Sequence, residues 1–285
     1  MGQAFLITLR EGIEAALIVG IVLAYLSRSG HRSHFPSVWA GTALALLVSL
    51  AAGGVLFAVG AEFTGRAEEI FEGVAMFAAV VVLSYMVIWM KRQAVNIRGH
   101  LEAQVATAVA GGSAVALGLL AFVAVVREGL ETALFMFAAT RTATSAETLA
   151  GGILGLALAA ALGYVIYRGS RVLKLKTFFN VTGVLLVLFA AGLLAHGIHE
   201  FEEAGVIPII IEHVWDINSI LNEKEGLGSF LAALFGYNGN PSLVEVVAYV
   251  LYLPIALWYF FSDRREAIST GNNNSNTPRA AAQAR

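Results

Sequence analysis

The chain has no cysteine. That excludes disulfides, thiolate metal centres and cysteine nucleophiles. Only five methionines stand among its 285 residues, so a soft Cu(I)-type site has little to draw on. Charge is scarce as well. Asp, Glu, Lys and Arg make up 13% of the chain, about half the share of an ordinary soluble domain, while 58% is hydrophobic. The solvent implied is lipid. The N-terminus lacks the basic stretch of a cleavable signal, and Arg10, Glu11 and Glu14 interrupt the first apolar run, so that run is expected to stay in the mature protein. Without the apolar runs no soluble domain of useful size remains, and the net charge of -2 gives no basis for a nucleic-acid partner.

What is present is a series of apolar stretches, each long enough to cross a hydrocarbon core about 30 Å thick. They cover residues 3–26, 38–60, 69–90, 113–140, 149–167, 178–199 and 244–261. The fold class expected is therefore all-α, a polytopic membrane protein of seven transmembrane helices. The fourth stretch is long enough to tilt or to begin in the interface, and 101–112 reads as an interfacial lead-in. The longest loop, 200–243, holds Pro208, Pro241 and an apolar piece from Phe230 to Phe235 that suits a re-entrant or interfacial helix. Residues 1–265 are expected to form one seven-helix membrane domain, and 266–285, rich in Asn, Ser and Ala, reads as a disordered tail. Gly151 and Gly155, four apart, suit close helix packing.

Sidedness follows from Lys and Arg. One set of loops carries Arg28, Arg32, Lys91, Arg92, Arg98, Arg168, Arg171, Lys174, Lys176, Arg264 and Arg265; the other carries only Arg66, Arg141 and Lys224. This places the N-terminus outside and the C-terminus in the cytoplasm of an inner, or cell, membrane. The outer side is acidic, with Glu62, Glu68, Glu69, Glu147, Glu202, Glu203, Glu212, Asp216, Glu223 and Glu225. Such a mouth concentrates cations, although each acid is equally well read as part of a solvated surface.

The strongest local signal is a repeat. Arg10-Glu11-Gly12-Ile13-Glu14 in the first stretch matches Arg127-Glu128-Gly129-Leu130-Glu131 in the fourth, and Ala15-Ala16-Leu17 parallels Thr132-Ala133-Leu134. Helical neighbours three or four apart share a face, so Glu11 and Glu14 point together and Arg10 reaches Glu14; Glu128, Glu131 and Arg127 do the same. Glu14 lies about 16 Å into its stretch at 1.5 Å per residue, near the midplane. Three unpaired charges there would cost roughly 7–10 kcal/mol per helix. A purely structural ion-pair network is the bland alternative, but apolar packing locks helices at lower cost. Four glutamates and two arginines sum to -2, which suits a hard multivalent cation. Three crossings separate the motifs, so residues 1–100 and 101–200 are expected to be inverted three-helix repeats with one extra helix, a transporter arrangement.

Arg-Glu-Gly-Leu-Glu in the first and fourth of seven spans resembles the oxidase-dependent iron transporter family, the high-affinity iron permeases of fungi and their bacterial relatives. The likeness covers about residues 1–262, with Trp215-Asp216, Gly236-Tyr237 and Pro241-Ser242 in the outer loop. Ile13, where leucine is commoner, is a conservative departure. The resemblance implies that Glu11, Glu14, Glu128 and Glu131 handle iron, with Arg10 and Arg127 as motif partners. It implies iron as transported substrate rather than cofactor, no enzymatic activity, and an extracytoplasmic iron-binding or oxidase partner.

Weaker metal candidates are Glu72 and Glu69, which share a face at the outer end of the third stretch, and His196, His199 and Glu200 at the outer end of the sixth. Their bland readings are a helix N-terminus satisfied by acids and interfacial packing. Glu245 opens the last stretch; His31 and His34 read as solvated loop residues. Rival functions are transport of another divalent metal, proton-coupled export, and a membrane di-iron enzyme. The last normally needs Glu-x-x-His pairs, and the sequence has none.

Overall fold

In the computed structural model, residues 1–93, 97–142, 144–167, 175–223 and 226–273 are described. Arg168, Arg171, Lys174, Lys224, Glu225 and the tail beyond 273 lie outside the described residues. Among the described residues the regular elements are helices: α1 (Gly2–Arg28), α2 (Phe35–Glu62), α3 (Arg66–Gln93), α4 (Ile97–Ala110), α5 (Ala114–Thr142), α6 (Ser145–Tyr167), α7 (Leu175–Glu203), α8 (Gly226–Phe235) and α9 (Leu243–Asn273), with a 3-10 turn at Arg32–His34.

Local chemistry sets the boundaries. Arg28 closes the last turn of α1, where its charge complements the helix dipole, and Gly30 leaves the helix at φ 81°. Pro36 opens α2, where a missing N–H costs nothing. Ser113 Oγ accepts the Ala116 N–H at 3.1 Å and starts α5. At α9, Ser242 Oγ accepts the Glu245 N–H (3.2 Å) while Glu245 Oε1 accepts the Ser242 N–H (3.3 Å), a capping box. α4 is a helix of its own beginning at Ile97, earlier than the expected lead-in. α7 runs to Glu203, so the outer loop begins four residues later than expected. α9 continues past 261 to Asn273, since the intervening residues contain neither proline nor, before Gly271, glycine. The apolar piece of the outer loop forms α8, which packs against α7 and α1.

Five helical stretches among the described residues are both long and apolar enough to cross a membrane: Arg32–Glu62, Arg66–Met90, Ala146–Val165, Thr177–Glu203 and Leu243–Ser262. α1 and α5 are as long, at 27 and 29 residues, but each carries the three motif charges. Leucine and valine crowd the outward faces of α2, α6 and α9, with Leu47, Leu50, Ile153, Val250 and Leu251 all exposed. In water such faces would be a liability; against lipid tails they carry no cost.

The packing is paired. α1 lies chiefly on α6, α2 on α5, and α3 on α7, with α1 meeting α5 at the centre and α9 flanking α7. Small residues bring the first two pairs close. On α6, Gly151, Gly155, Ala159 and Gly163 form one stripe; on α2, Gly41, Ala45, Ser49 and Gly53 form another. A Cβ on Gly12 would fall 2.6 Å from that of Ala159, and one on Gly163 equally close to that of Ala16. At the matching register of the other pair, Gly129 meets Ser49 and Gly53 meets Ala133, while Gly151 against the Met1 backbone is matched by Gly41 against Gly118. Contacts in which both numbers rise together make each pair parallel. α2 turns back from α1 through a short connection, so α5, parallel to α2, runs opposite to α1.

Candidate metal centre

The central α1–α5 contact carries both motifs. The helical spacing puts Arg10 Nε 3.1 Å from Glu14 Oε1 and Arg127 Nε 2.9 Å from Glu131 Oε1, the i,i+4 pairs the sequence predicts. Arg127 also lies 4.0 Å from Glu128 and 4.2 Å above the centre of the Trp89 ring on α3. Arg10, Glu11, Glu14 and Glu128 are buried, and Glu131 is nearly so.

Glu11, Glu128 and Glu131 each place a carboxylate oxygen within 4.8 Å of the others. Neither oxygen of Glu11 has a hydrogen-bond partner, although Glu128 approaches it; Glu128 Oε2 and Glu131 Oε2 have none either. Glu14 sits at ion-pair distance from Arg10 without hydrogen-bond alignment, and it also feels Glu131 and Arg127 across the helix contact. Acceptors gathered from two helices with few donors among them are what a cation would satisfy. The motif glycines face away from this cluster. Gly12 lets α6 approach α1, and Gly129 lets α2 approach α5. The sequence reading assigned them no role.

The weaker candidates fall elsewhere. Glu72 is buried and Glu69 partly exposed near the start of α3, and both act electrostatically on Glu200 of α7. His196 and His199 stand one turn apart with ring centres 6.1 Å apart. His199 pairs with Glu245, Nδ1 to Oε1 at 3.1 Å. His199 acts electrostatically on Glu200 as well, so Glu200 feels both α3 acids and this histidine. Glu245 is buried and gains a further bond from Asn238 Nδ2 at 2.8 Å. Glu202, read from the sequence only as an outer acid, is buried beside His199 and Glu245. The signal available for it was its spacing of three from His199. His31 and His34 stack at 6.2 Å in the turn before α2, in keeping with a loop role.

Comparison with known proteins bears on this geometry. The model of the iron permease FTR1 family matches residues 1–262. A ferrous iron permease EfeU from Yersinia pestis is 38% identical over 259 residues, covering 90% of this chain and 92% of the relative. One from Escherichia coli O6:H1 is 37% identical over 258 residues, covering 90% and 94%. No solved structure matches the chain. With its long apolar helices and permease relatives it is a multi-pass membrane protein, a transporter and not an enzyme. The chain belongs to the iron permease FTR1 family.

Proposed function

We propose that this chain imports iron, as the ferrous ion, across the cell membrane through the carboxylates of its two motifs. The observation that carries the reading is the convergence of Glu11, Glu128 and Glu131 within 4.8 Å, with buried oxygens that no donor satisfies. Glu14 completes the set from its pairing with Arg10. The arginines hold the carboxylates together when no ion is bound and keep affinity low enough for release. The relatives' names supply the ion and its oxidation state.

The transport architecture is seven spans, with α1–α3 and α5–α7 as inverted repeats and α9 added. The matched α1–α6 and α5–α2 registers support it, because exchanging the repeats turns one pair into the other. α1 and α5 count as spans because their charges face each other rather than lipid. Rocking of the repeats about the motif contact carries the ion from the acidic outer mouth to the cytoplasm. The N-terminus is outside and the C-terminus inside, and an extracytoplasmic iron-binding or oxidase partner delivers the ion.

The test is uptake into vesicles with Mn(II) and Zn(II) as competitors, paired with equilibrium Fe(II) binding. Glu131→Gln and Glu14→Gln keep side-chain volume but lose the charge, and each is expected to abolish uptake while the protein stays in the membrane. The double variant is no worse than either single one, since ligands of one site act as a unit. Native binding by either variant would refute a shared site, and preference for Mn(II) or Zn(II) would reassign the ion.

A further inference from the structure

We propose that His199, Glu202 and Glu245 form a second cation site, at the outer end of α7, which takes a first-row divalent transition ion in preference to Mg(II) or Ca(II). One donor atom from each lies within 4.8 Å of the other two. They come from two elements: His199 and Glu202 share a face of α7, and Glu245 opens α9. The site is thus held by different helices from those that carry the motif carboxylates.

The surrounding bonds orient these donors. His199 Nε2 lies 3.3 Å from Glu203 Oε1, which leaves Nδ1 turned toward Glu245. A carboxylate on the far imidazole nitrogen is the arrangement metal-bound histidines use. Glu245 Oε2 is held by Asn238 Nδ2 at 2.8 Å, fixing the plane of the carboxylate and leaving Oε1 toward His199. The Nδ1–Oε1 separation of 3.1 Å is close to the edge between adjacent ligands, about 3 Å for bonds of about 2.1 Å. Little movement would be needed to admit an ion, which would replace the proton now shared by those two atoms.

Glu202 is the independent sign. It is 5% exposed, and its Oε1 is buried with no hydrogen-bond partner. A capping box accounts for Glu245 and an ordinary ion pair for His199. Neither accounts for a buried carboxylate oxygen left without a donor beside them, which costs on the order of 1–3 kcal/mol unless something satisfies it. A divalent ion does.

One imidazole nitrogen with two carboxylates suits divalent iron, manganese or zinc, whereas magnesium and calcium prefer oxygen alone. The motif carboxylates lack any nitrogen donor and cannot discriminate this way. The outer site therefore selects the ion before the central one receives it.

Mn(II) alone is the probe, added to the full-length chain in lipid nanodiscs and examined by electron spin-echo spectroscopy for a directly bound imidazole nitrogen. Among the described residues no histidine belongs to the motif cluster, so that signal separates the outer site from the motif carboxylates. The native chain is expected to show the nitrogen coupling, and to keep it under a hundredfold excess of Mg(II). His199→Gln and Glu202→Gln are each expected to abolish it, while Glu131→Gln retains it. Retention there holds whether or not the motif carboxylates bind iron, so the two readings fail separately. Absence of the coupling in the native chain, its loss to Mg(II), or its survival in either outer variant overturns the proposal.

Discussion

Arg10 and Arg127 hold the same place in the two motifs but not the same surroundings. The Arg10 side chain is 2% exposed, and its Nε and Nη1 lack hydrogen-bond partners. Arg127 is 37% exposed at its side chain, bonds Glu131 and lies over Trp89. Coulomb attraction to Glu11 and Glu14 is thus the main compensation for burying Arg10. Removing it leaves those two carboxylates without a counter-charge in a low-dielectric setting, which costs about 3–5 kcal/mol. Removing Arg127 gives up an ion pair that is partly solvated and a stacking contact of about 0.5–2 kcal/mol. Arg10→Ala is therefore expected to lower the thermal unfolding midpoint in nanodiscs far more than Arg127→Ala. Equal shifts would mean the two arginines are equally buried in the membrane. The pairing of each arginine with its second glutamate was legible in the sequence, because i,i+4 spacing on one helix fixes it. The difference between them was not, because burial depends on how the neighbouring helices close over each motif, which a single helix's spacing does not fix.

Among elements, the close pairs are decided by side chains that are nearly absent. Gly155 approaches the α1 backbone at Phe5 and the Thr8 side chain, and Gly151 approaches Met1, so neither has room for a Cβ. Without a hydrophobic drive between helices in lipid, that close contact is much of what holds α1 to α6. Gly155→Leu is expected to force the pair apart, at about 1–3 kcal/mol or more for overpacking, and to lower the folded yield. Gly54→Leu is the control: it lies one position off the α2 stripe with nothing within 4 Å, and it should be tolerated. Equal losses from both would dissociate the stripe from stability. The sequence showed the Gly151–Gly155 step but could not say which helix it met. The helices themselves were readable to within a few residues, since long apolar runs leave few alternatives. α4 and the end of α9 were less readable, because their composition is mixed and only packing or continuity decides them. The outer cluster was hidden for a similar reason: His199, Glu202 and Glu245 meet only when α9 folds back on α7.

At the scale of the molecule, sidedness ties the parts together. The Met1 amino group lies 3.7 Å from Glu147 at the start of α6, and Arg28 lies 3.4 Å from Glu102 of α4 at the other end of α1. The first contact falls on the side the charge bias assigns to the outside, and the second on the side it assigns to the cytoplasm. Each end of α1 thus meets residues that the bias places on the same side as itself. Ser33, between α1 and α2, and Thr144, at the start of α6, hold equivalent places in the two proposed repeats. Inverted repeats require those two positions to lie on opposite sides of the membrane. Because the chain has no cysteine, a single engineered one reports cleanly. Ser33→Cys and Thr144→Cys are both at exposed positions. In intact cells an impermeant maleimide is expected to label Thr144→Cys only, and to label Ser33→Cys only after the membrane is opened. Labelling of both from one side would mean an even number of crossings between the motifs. The repeats would then be parallel, and the two glutamate pairs could no longer be equivalent ligands approached from opposite faces.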